Sequence, residues 1–216
     1  MGYVGAATVE YLYSLEEESY YFLELNPRLQ VEHPVTEGIT NVNLPACQVM
    51  IGMGLPLYCI PDIRSLYHED PSGRSFIDFE VQSRKEPEGH VLAVRITSEN
   101  ANDGFKPTSG HIDELHFRPT SDVWGYFSVK SGGGIHEFSD SQFGHLFAKG
   151  ASRQETIRSM LLALKEVKIR GEIRTTVDYI IDMIQEPDFQ LQRIHTAWLD
   201  NRIAAQVTSM TCLSPG

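Results

Sequence analysis

The chain has 216 residues, of which 41% are hydrophobic and 22% are charged, as is usual for globular proteins that bury a core. Its formal net charge of -11 excludes nucleic acid and anionic membrane surfaces as main partners, because the field of the chain would repel both. No segment approaches the roughly 20 consecutive apolar residues of a membrane span, and three cysteines at unrelated spacings favour a reducing compartment.

The first predicted element is a β-hairpin. Its strands, Thr8–Tyr13 and Tyr20–Asn26, are rich in aromatic and β-branched residues, and the polar stretch Ser14–Ser19 separates them. Pro27 then ends the second strand, because proline cannot donate to the ladder.

A regular ladder through this hairpin sets Glu10 opposite Glu24, and in the same register Tyr13 lies opposite Tyr21. Two carboxylates about 5 Å apart repel each other by roughly 3 kcal/mol at an effective dielectric constant of about 20, so a cation should lie between them. Asn26 points to the same face as Glu24, which completes a set of oxygen ligands suited to Mg²⁺ or Mn²⁺. The alternative is that both glutamates lie on a solvated strand face.

A dense polar run follows the hairpin, between Pro27 and Pro34. Within it, the planar guanidinium group of Arg28 suits a small oxyanion. Glu32 could act as a base beside that anion, because a neighbouring cation would keep its carboxylate ionised. The prolines restrict the backbone at both ends, so the run is a candidate anion site.

A helix is predicted from Asn43, which acts as N-cap, to Gly52 and Gly54 near its end. Residues 56–88 carry many Pro, Gly, Ser and charged positions without a long period. We therefore predict an irregular linkage with one short strand at Phe76–Val81. This linkage is the best candidate for a domain boundary.

Strand patterns dominate the next part of the chain. They are found at His90–Ser98, Ile112–Phe117, Val123–Val129 and Gly144–Ala148. Turn sequences at Asp103-Gly104 and Gly132–Gly134 lie between them. The pattern predicts a small, mostly antiparallel sheet.

Two helices follow these strands. Ser152 and Glu155 form a capping box, and an apolar stripe then continues to Lys168, before Gly171. The second helix is predicted from about Thr175 to Glu186. A sheet followed by helices indicates an α+β fold.

The stretch Tyr21–Glu37, which reads YFLELNPRLQVEHPVTE, resembles the signature of biotin carboxylases, a branch of the ATP-grasp superfamily. Three later stretches resemble the large eukaryotic acetyl-CoA carboxylases, and the plant-type enzymes best: Gly104–Gly110, Val123–Val129 and His136–His145. The resemblance implies part of the ATP-grasp antiparallel sheet. A biotin carboxylase C-terminal domain, in which helices cover an antiparallel sheet, would follow it.

The same resemblance implies how the chain is divided. Residues 1–55 would form the C-terminal part of the ATP-grasp domain, which binds ATP, metal and bicarbonate. Residues 56–88 would be a linker, 89–205 the biotin carboxylase C-terminal domain, and 206–216 an unstructured tail. The nucleotide-binding fold and lid that precede these parts in the family are not in this sequence, so we expect a fragment that is inactive alone.

The resemblance also assigns roles to individual residues. The metal ions would be held by Glu10, Glu24 and Asn26, and ATP would contact Glu10, Leu12 and Glu24. Bicarbonate would be bound by Arg28, Gln30 and Val31. The catalytic residues would be Arg28, Glu32 and Arg95. Glu32 would remove the proton of bicarbonate, and Arg95 would stabilise the enolate oxygen of biotin. Without the resemblance, Arg95 is a strand arginine that snorkels or pairs with an acid, and Leu12 is a core leucine.

The implied function is ATP-dependent carboxylation of biotin with bicarbonate, in an acetyl-CoA carboxylase that makes malonyl-CoA for fatty-acid synthesis. ATP and Mg²⁺ or Mn²⁺ would bind this chain, whereas biotin would arrive on a carrier domain and serve a carboxyltransferase domain. We expect a homodimer for the full-length protein, in the cytoplasm or alternatively in a plastid. Two alternatives stay open: a non-catalytic dimerisation and regulatory module formed by 89–205, or the biotin carboxylase of another acyl-CoA or pyruvate carboxylase.

Overall fold

The computed structural model describes residues 2–204. Its first half contains a β-hairpin and then helices, with these bounds: β1 (Thr8–Ser14), β2 (Ser19–Asn26), α1 (His33–Thr40), α2 (Leu44–Gly52) and α3 (Pro61–Leu66). The predicted hairpin is confirmed, and so is the helix that begins after Asn43, whose side chain accepts a hydrogen bond from Ala46 N–H at 2.8 Å. Helix α1 was not predicted, and neither was α3, which lies in the segment 56–88 that was expected to be irregular. Pro34 lies in the first turn of α1, where the missing N–H costs no hydrogen bond.

The hairpin ladder contains a β-bulge. Glu10 pairs with Glu24, as predicted, but the next pair is Tyr11 with Phe22. Leu23 is therefore an additional residue on β2. Bulges of this kind bend a strand and increase its twist, so this one changes the direction of β2 just before Glu24.

The ladder on the turn side of the bulge corrects a prediction. Tyr13 pairs with Tyr20, so its predicted opposition to Tyr21 is wrong. The pair Ser14–Ser19 closes the turn and sets the register from that end, and the additional residue on β2 restores the Glu10 register beyond it.

The segment 56–88 is organised by one buried arginine on α3. The side chain of Arg64 is 1% exposed, and its guanidinium group donates to the carbonyl oxygens of Tyr58 at 2.8 Å, Asp70 at 2.6 Å and Ser75 at 2.8 Å. These bonds replace the water that the buried charge has lost.

The predicted strand at Phe76–Val81 is wrong. A turn occupies this stretch: the side chain of Asp78 accepts from Glu80 N–H at 3.1 Å, and its carbonyl accepts from Gln82 N–H at 2.9 Å. Phe76 and Val81 are exposed, so the strand-like pattern of this stretch does not mark a buried face of a sheet. The irregular character predicted for most of 56–88 is confirmed.

The second half has eleven further helices and strands. They are β3 (His90–Thr97), β4 (Glu99–Asn100), β5 (Lys106–Pro107), β6 (Gly110–His116), β7 (Val123–Phe127), β8 (Gly134–Ile135), β9 (Gln142–Gly150), α4 (Arg153–Glu166), β10 (Lys168–Gly171), α5 (Val177–Gln185) and α6 (Pro187–Gln190), of which β4 and β5 form a small ladder by themselves. The predicted strands and both helices are confirmed, with β9 longer than expected. Ser152 caps α4 by accepting from Glu155 N–H at 3.3 Å. The predicted tail 206–216 lies outside the described residues.

Strand β10 corrects the predicted length of the first helix. The helix was expected to continue to Lys168, but α4 ends at Glu166 because Val167 has an extended backbone. The next residues pair antiparallel with β6. A side chain at Gly171 would collide with the carbonyl oxygen of His111, so the close approach of these two strands requires glycine.

The larger core lies between two three-stranded antiparallel sheets, ordered β3-β9-β7 and β10-β6-β8, and the helices α4 and α5. Its buried side chains include Val94, Ile96, Ile112, Leu146, Ala148, Met160 and Leu164. The inward residues of β3 and β9 alternate with residues on the opposite face of the sheet. That second face carries Arg95 and His145.

Helix α1 covers the second face of the β3-β9-β7 sheet. A methyl group at Gly38 would come within 2.6 Å of Val91 Cγ2, so α1 and β3 are in close contact. A smaller cluster of buried residues follows α1 in the sequence and connects α2 to α3. It consists of Val42, Cys47 and Ile60. No helix within residues 2–204 is long and apolar enough to cross a membrane.

Candidate functional site

The paired strands of the hairpin bring two predicted metal ligands together. The Asn26 side-chain amide donates to Glu10 Oε1 at 3.1 Å and to Glu24 Oε1 at 2.8 Å. The Gln30 amide donates to Glu10 Oε1 at 3.3 Å. Neutral N–H donors therefore lie where the opposed carboxylates require positive charge.

The donor set around these carboxylates fits Mg²⁺ or Mn²⁺. Carboxylate oxygens are available, and rotation of the Asn26 amide would present its oxygen instead of its nitrogen. Within residues 2–204, no group of three or more His, Cys, Asp and Glu residues gathers as a metal site. An ion held here would thus depend on Asn26 and on oxygens from a bound phosphate or from water.

Leu12 lies two residues after Glu10 on β1, and its side chain is half-exposed. It is therefore not part of a core in this structure. Alternation along a strand places it on the same face as Glu10, where it offers an apolar contact beside the carboxylate pair.

Two predicted anion-binding groups are free of strong internal partners. The guanidinium group of Arg28 donates only to the neighbouring Leu29 carbonyl, at 3.3 Å. Among residues 2–204, no acceptor takes the backbone N–H of Val31. Both groups can therefore donate to a small anion without breaking a bond that holds the fold.

Glu32 and Arg95 meet although they are far apart in the sequence. Glu32 precedes α1, Arg95 lies on β3, and Arg95 Nη2 is 3.5 Å from Glu32 Oε2. The contact of α1 with β3 brings them together. The sequence analysis placed a cation beside Glu32 through Arg28, whereas the ion pair in the structure is made by Arg95. Glu32 Oε2 is buried and makes no hydrogen bond within residues 2–204, and its polar contact there is this ion pair with Arg95 Nη2.

His145 lies behind this pair, and the sequence analysis missed it. It is the cross-strand neighbour of Arg95 on β9, it is buried, and its ring stacks on Phe147. Burial lowers the pKa of His145, the positive charge of Arg95 lowers it further, and the carboxylate of Glu32 opposes both. Only the pairing of β3 with β9 places it here, and that pairing has no local signal in the sequence.

Two family models match the chain. The family model of the biotin carboxylase C-terminal domain matches residues 93–201, which is half of the chain. The chain belongs to the biotin carboxylase family. A second model, the ATP binding domain of the carbamoyl-phosphate synthase L chain, matches residues 1–60. The predicted resemblance to biotin carboxylases is confirmed.

Curated relatives of this biotin carboxylase chain are acetyl-CoA carboxylases. Acetyl-CoA carboxylase 2 of Arabidopsis thaliana is 59% identical over 96% of the chain. The mitochondrial acetyl-CoA carboxylase of Saccharomyces cerevisiae (strain ATCC 204508 / S288c) is 55% identical over 100% of it. The chain covers only 9% and 10% of these two proteins, respectively.

Solved structures confirm the predicted fold class, a mixed fold of antiparallel sheets and helices. The biotin carboxylase domain of Hydrogenobacter thermophilus 2-oxoglutarate carboxylase, a dimer in complex with MgADP and bicarbonate, has a TM-score of 0.75 and 25% identity. The alignment covers 91% of this chain and 38% of that one. Rhizobium etli pyruvate carboxylase has a TM-score of 0.76 and 29% identity, covering 91% of this chain and 18% of that one.

Proposed function

We propose that this chain forms part of the site at which an acetyl-CoA carboxylase carboxylates biotin, with bicarbonate as carbon source and ATP as the activating reagent. The observation that carries the proposal is the Glu32–Arg95 pair. It sets the carboxylate of Glu32 beside a cation from a separate sheet, and the oxygen in this ion pair makes no hydrogen bond within the described residues. Such a pair combines a proton acceptor with a stabiliser of developing negative charge.

The proposed division of the chain follows the two family matches. Residues 1–55 would contribute ATP, metal and bicarbonate ligands, 56–88 would link, and 89–205 would form the C-terminal domain that carries Arg95. The match of 1–60 to an ATP binding domain and of 93–201 to the biotin carboxylase C-terminal domain supports these boundaries.

In the nucleotide half of the site, Glu10, Glu24 and Asn26 would hold Mg²⁺ or Mn²⁺, and Leu12 would contact the nucleotide. When bound, the ion would neutralise negative charge on the phosphates of ATP. The amide of Asn26, which now donates to both carboxylates, would turn its oxygen inward. A cation between the two carboxylates would offset their repulsion and allow them to stay close together.

In the bicarbonate half, Arg28, Gln30 and the Val31 N–H would hold the anion. Glu32 would take the proton of bicarbonate, whose oxygen then attacks the γ-phosphorus of ATP. The new oxygen–phosphorus bond forms as ADP leaves, giving carboxyphosphate. The free donors of Arg28 and Val31 support this role.

Arg95 would act after carboxyphosphate has broken down to carbon dioxide and phosphate. Once this phosphate has taken the ureido N–H proton of biotin, the negative charge moves onto the ureido oxygen, and a fixed guanidinium group stabilises it. The strand position of Arg95 favours this role, because β3 is held by β9 on one side and α1 on its face.

The remaining parts of the reaction would lie on other domains of the carboxylase: a carrier that brings biotin and a carboxyltransferase that forms malonyl-CoA for fatty-acid synthesis. The acetyl-CoA acceptor is favoured over pyruvate because the acetyl-CoA carboxylases are 55–59% identical to this chain, against 29% for pyruvate carboxylase. We propose a homodimer in the cytoplasm, with a plastid as the alternative.

The test is ATP hydrolysis by the complete carboxylase that carries this chain, measured with and without bicarbonate. Removing a general base typically costs about 10²–10⁴ in rate, so Glu32→Gln should abolish most of the bicarbonate-dependent hydrolysis. Glu24→Gln should raise the Mg²⁺ concentration needed for half-maximal rate. The matched control is Glu80→Gln, an exposed glutamate without a side-chain partner, which should behave as the unmodified protein.

Equal rates in Glu32→Gln and Glu80→Gln would contradict the proposal. ATP hydrolysis that does not depend on bicarbonate would contradict it too, whereas the absence of ATP hydrolysis would favour the non-catalytic module formed by 89–205.

A further inference from the structure

Two buried polar atoms at the Glu32–Arg95 pair make no hydrogen bond among the described residues: His145 Nε2, and Glu32 Oε2, which has only the ion pair with Arg95 Nη2 at 3.5 Å. The carboxylate oxygen is an acceptor. The ring nitrogen is a donor when the neutral ring carries its proton on Nε2. Unpartnered buried polar groups are uncommon and costly, so two complementary ones in a single cluster call for an explanation.

The tautomer of His145 follows from its neighbour on the same strand. The Gln142 amide group Nε2 lies 3.3 Å from His145 Nδ1. With the Gln142 amide in this orientation its N–H donates, so Nδ1 accepts and the ring proton lies on Nε2. The free ring nitrogen of His145 is therefore a donor without an acceptor.

The surroundings of His145 keep the ring neutral and fixed. The residue is 4% exposed, and its ring stacks on Phe147 with 15° between the planes. Arg95 opposes it on β3, and Tyr126 opposes it on β7. Helix α1, which covers this face, carries His33 and Glu37, and these two pair with each other at 2.9 Å. Together with Glu32, and with His90 on β3 and Lys149 on β9, these are the titratable and charged groups on the elements packed around the ring.

We propose that His145 is a positioning residue for Glu32, whose carboxylate accepts from His145 Nε2–H when substrate engages Arg95. In the structure described above, Glu32 pairs with Arg95. A bound anion or the biotin oxygen would draw the guanidinium group away, and the donor on β9 then holds the carboxylate in place. This inference rests on the proposed function for the role of Glu32, but the contact itself does not require turnover.

The first test is an NMR titration of His145 in the 216-residue chain, without ATP or bicarbonate. The ¹⁵N shifts of the neutral ring should report a proton on Nε2. Arg95→Gln should raise the pKa of His145, because a neighbouring positive charge is lost. Glu32→Gln should lower it further, because a neighbouring negative charge is lost. Both positions are partly exposed, so neither variant is expected to unfold the chain.

The second test uses the complete carboxylase. His145→Leu removes the donor, and kcat for bicarbonate-dependent ATP hydrolysis should fall about tenfold with an unchanged KM for ATP, as expected when a hydrogen bond to a charged group is lost. His145→Gln keeps an N–H donor and should restore most of that loss. Equal rates in the two variants would overturn the positioning role.

The two tests separate the inference from the function on which it rests. A His145 ring that carries its proton on Nδ1, or a pKa that does not respond to Glu32→Gln, would overturn the inference whether or not the protein carboxylates biotin. If the NMR results are as expected but ATP hydrolysis does not depend on bicarbonate, the contact stands and the proposed function is wrong.

Discussion

The two halves of the molecule bury their side chains very differently. In the hairpin, Tyr11 and Phe22 are 57% and 61% exposed, whereas Ile96 and Leu146 in the β3-β9-β7 sheet are 0% exposed. Every predicted ligand of ATP, metal and bicarbonate lies in the first half, and only Arg95 comes from the second. Most of the polar groups proposed to react therefore lie in the exposed first half, whereas the densely packed second half positions Arg95 beside them.

The largest expected effect compares the same substitution in the two cores. Ile96 and Ile60 are both 0% exposed, the first in the larger core and the second in the smaller cluster. Deleting buried methyl groups typically costs about 2–5 kcal/mol, and more where the surroundings cannot collapse. We expect Ile96→Ala to lower the free energy of unfolding by about 4 kcal/mol and Ile60→Ala by about 2 kcal/mol, measured by urea denaturation.

The exposed Leu15 in the hairpin turn provides the control, since Leu15→Ala should leave the urea midpoint unchanged. Equal losses for both isoleucines would mean that the two cores are equally well packed, and the contrast drawn here would then be wrong. A change in the urea dependence of only one variant would instead indicate that the halves unfold separately.

An intermediate effect is expected where the halves touch. In Gly38→Ala the new methyl group would meet Val91 Cγ2 at 2.6 Å, and the branched valine cannot easily move aside. Overpacking should outweigh the better helix propensity of alanine, for a net loss of about 1–2 kcal/mol. Gly52→Ala on α2 is the matched control, because nothing lies within 4 Å of its added Cβ, and it should gain up to about 1 kcal/mol.

Thermal unfolding of the two glycine variants would give the comparison directly. If Gly38→Ala were as stable as Gly52→Ala, α1 would not press on β3, and the contact that brings Glu32 to Arg95 would need another cause.

The smallest effect should come from acid. Burial lowers the pKa of His145, so the folded chain takes up this proton only at a lower pH than the unfolded chain. The unfolded state then binds more protons, and stability falls as the pH drops through the ordinary range of histidine, near about 6.5. His145→Gln removes this contribution, so it should lose less stability than the unmodified chain between about pH 7 and about pH 5. Urea midpoints at both pH values measure the difference, and identical losses would contradict it.

The sequence was informative wherever a local signal sets the structure. The caps at Asn43 and Ser152 were recognised because a side-chain oxygen satisfies N–H groups of the next turn. The hairpin was recognised from β-branched and aromatic runs around a polar turn. The pairing of Glu10 with Glu24 was also correct, because the additional residue at the bulge offsets the one-residue difference in register at the turn.

The errors share a different cause: a contact between distant parts of the chain. The end of the predicted first helix is replaced by β10 because the distant strand β6 offers it a partner. The same holds for the site. Arg28 and Glu32 are neighbours in sequence and were expected to interact, but the pairing of Glu32 with Arg95 requires α1 to lie on β3.

Arg64 acts on segment 56–88 as a cross-link does on a closed loop. It ties the backbone at Tyr58, Asp70 and Ser75 to one point, and restricting a loop in this way removes conformations that the segment would otherwise populate. Disulfides achieve the same restriction with a bond that reduction breaks. Cys59, within this segment, is a free thiol, so the order that Arg64 gives the linkage does not depend on a disulfide at this position.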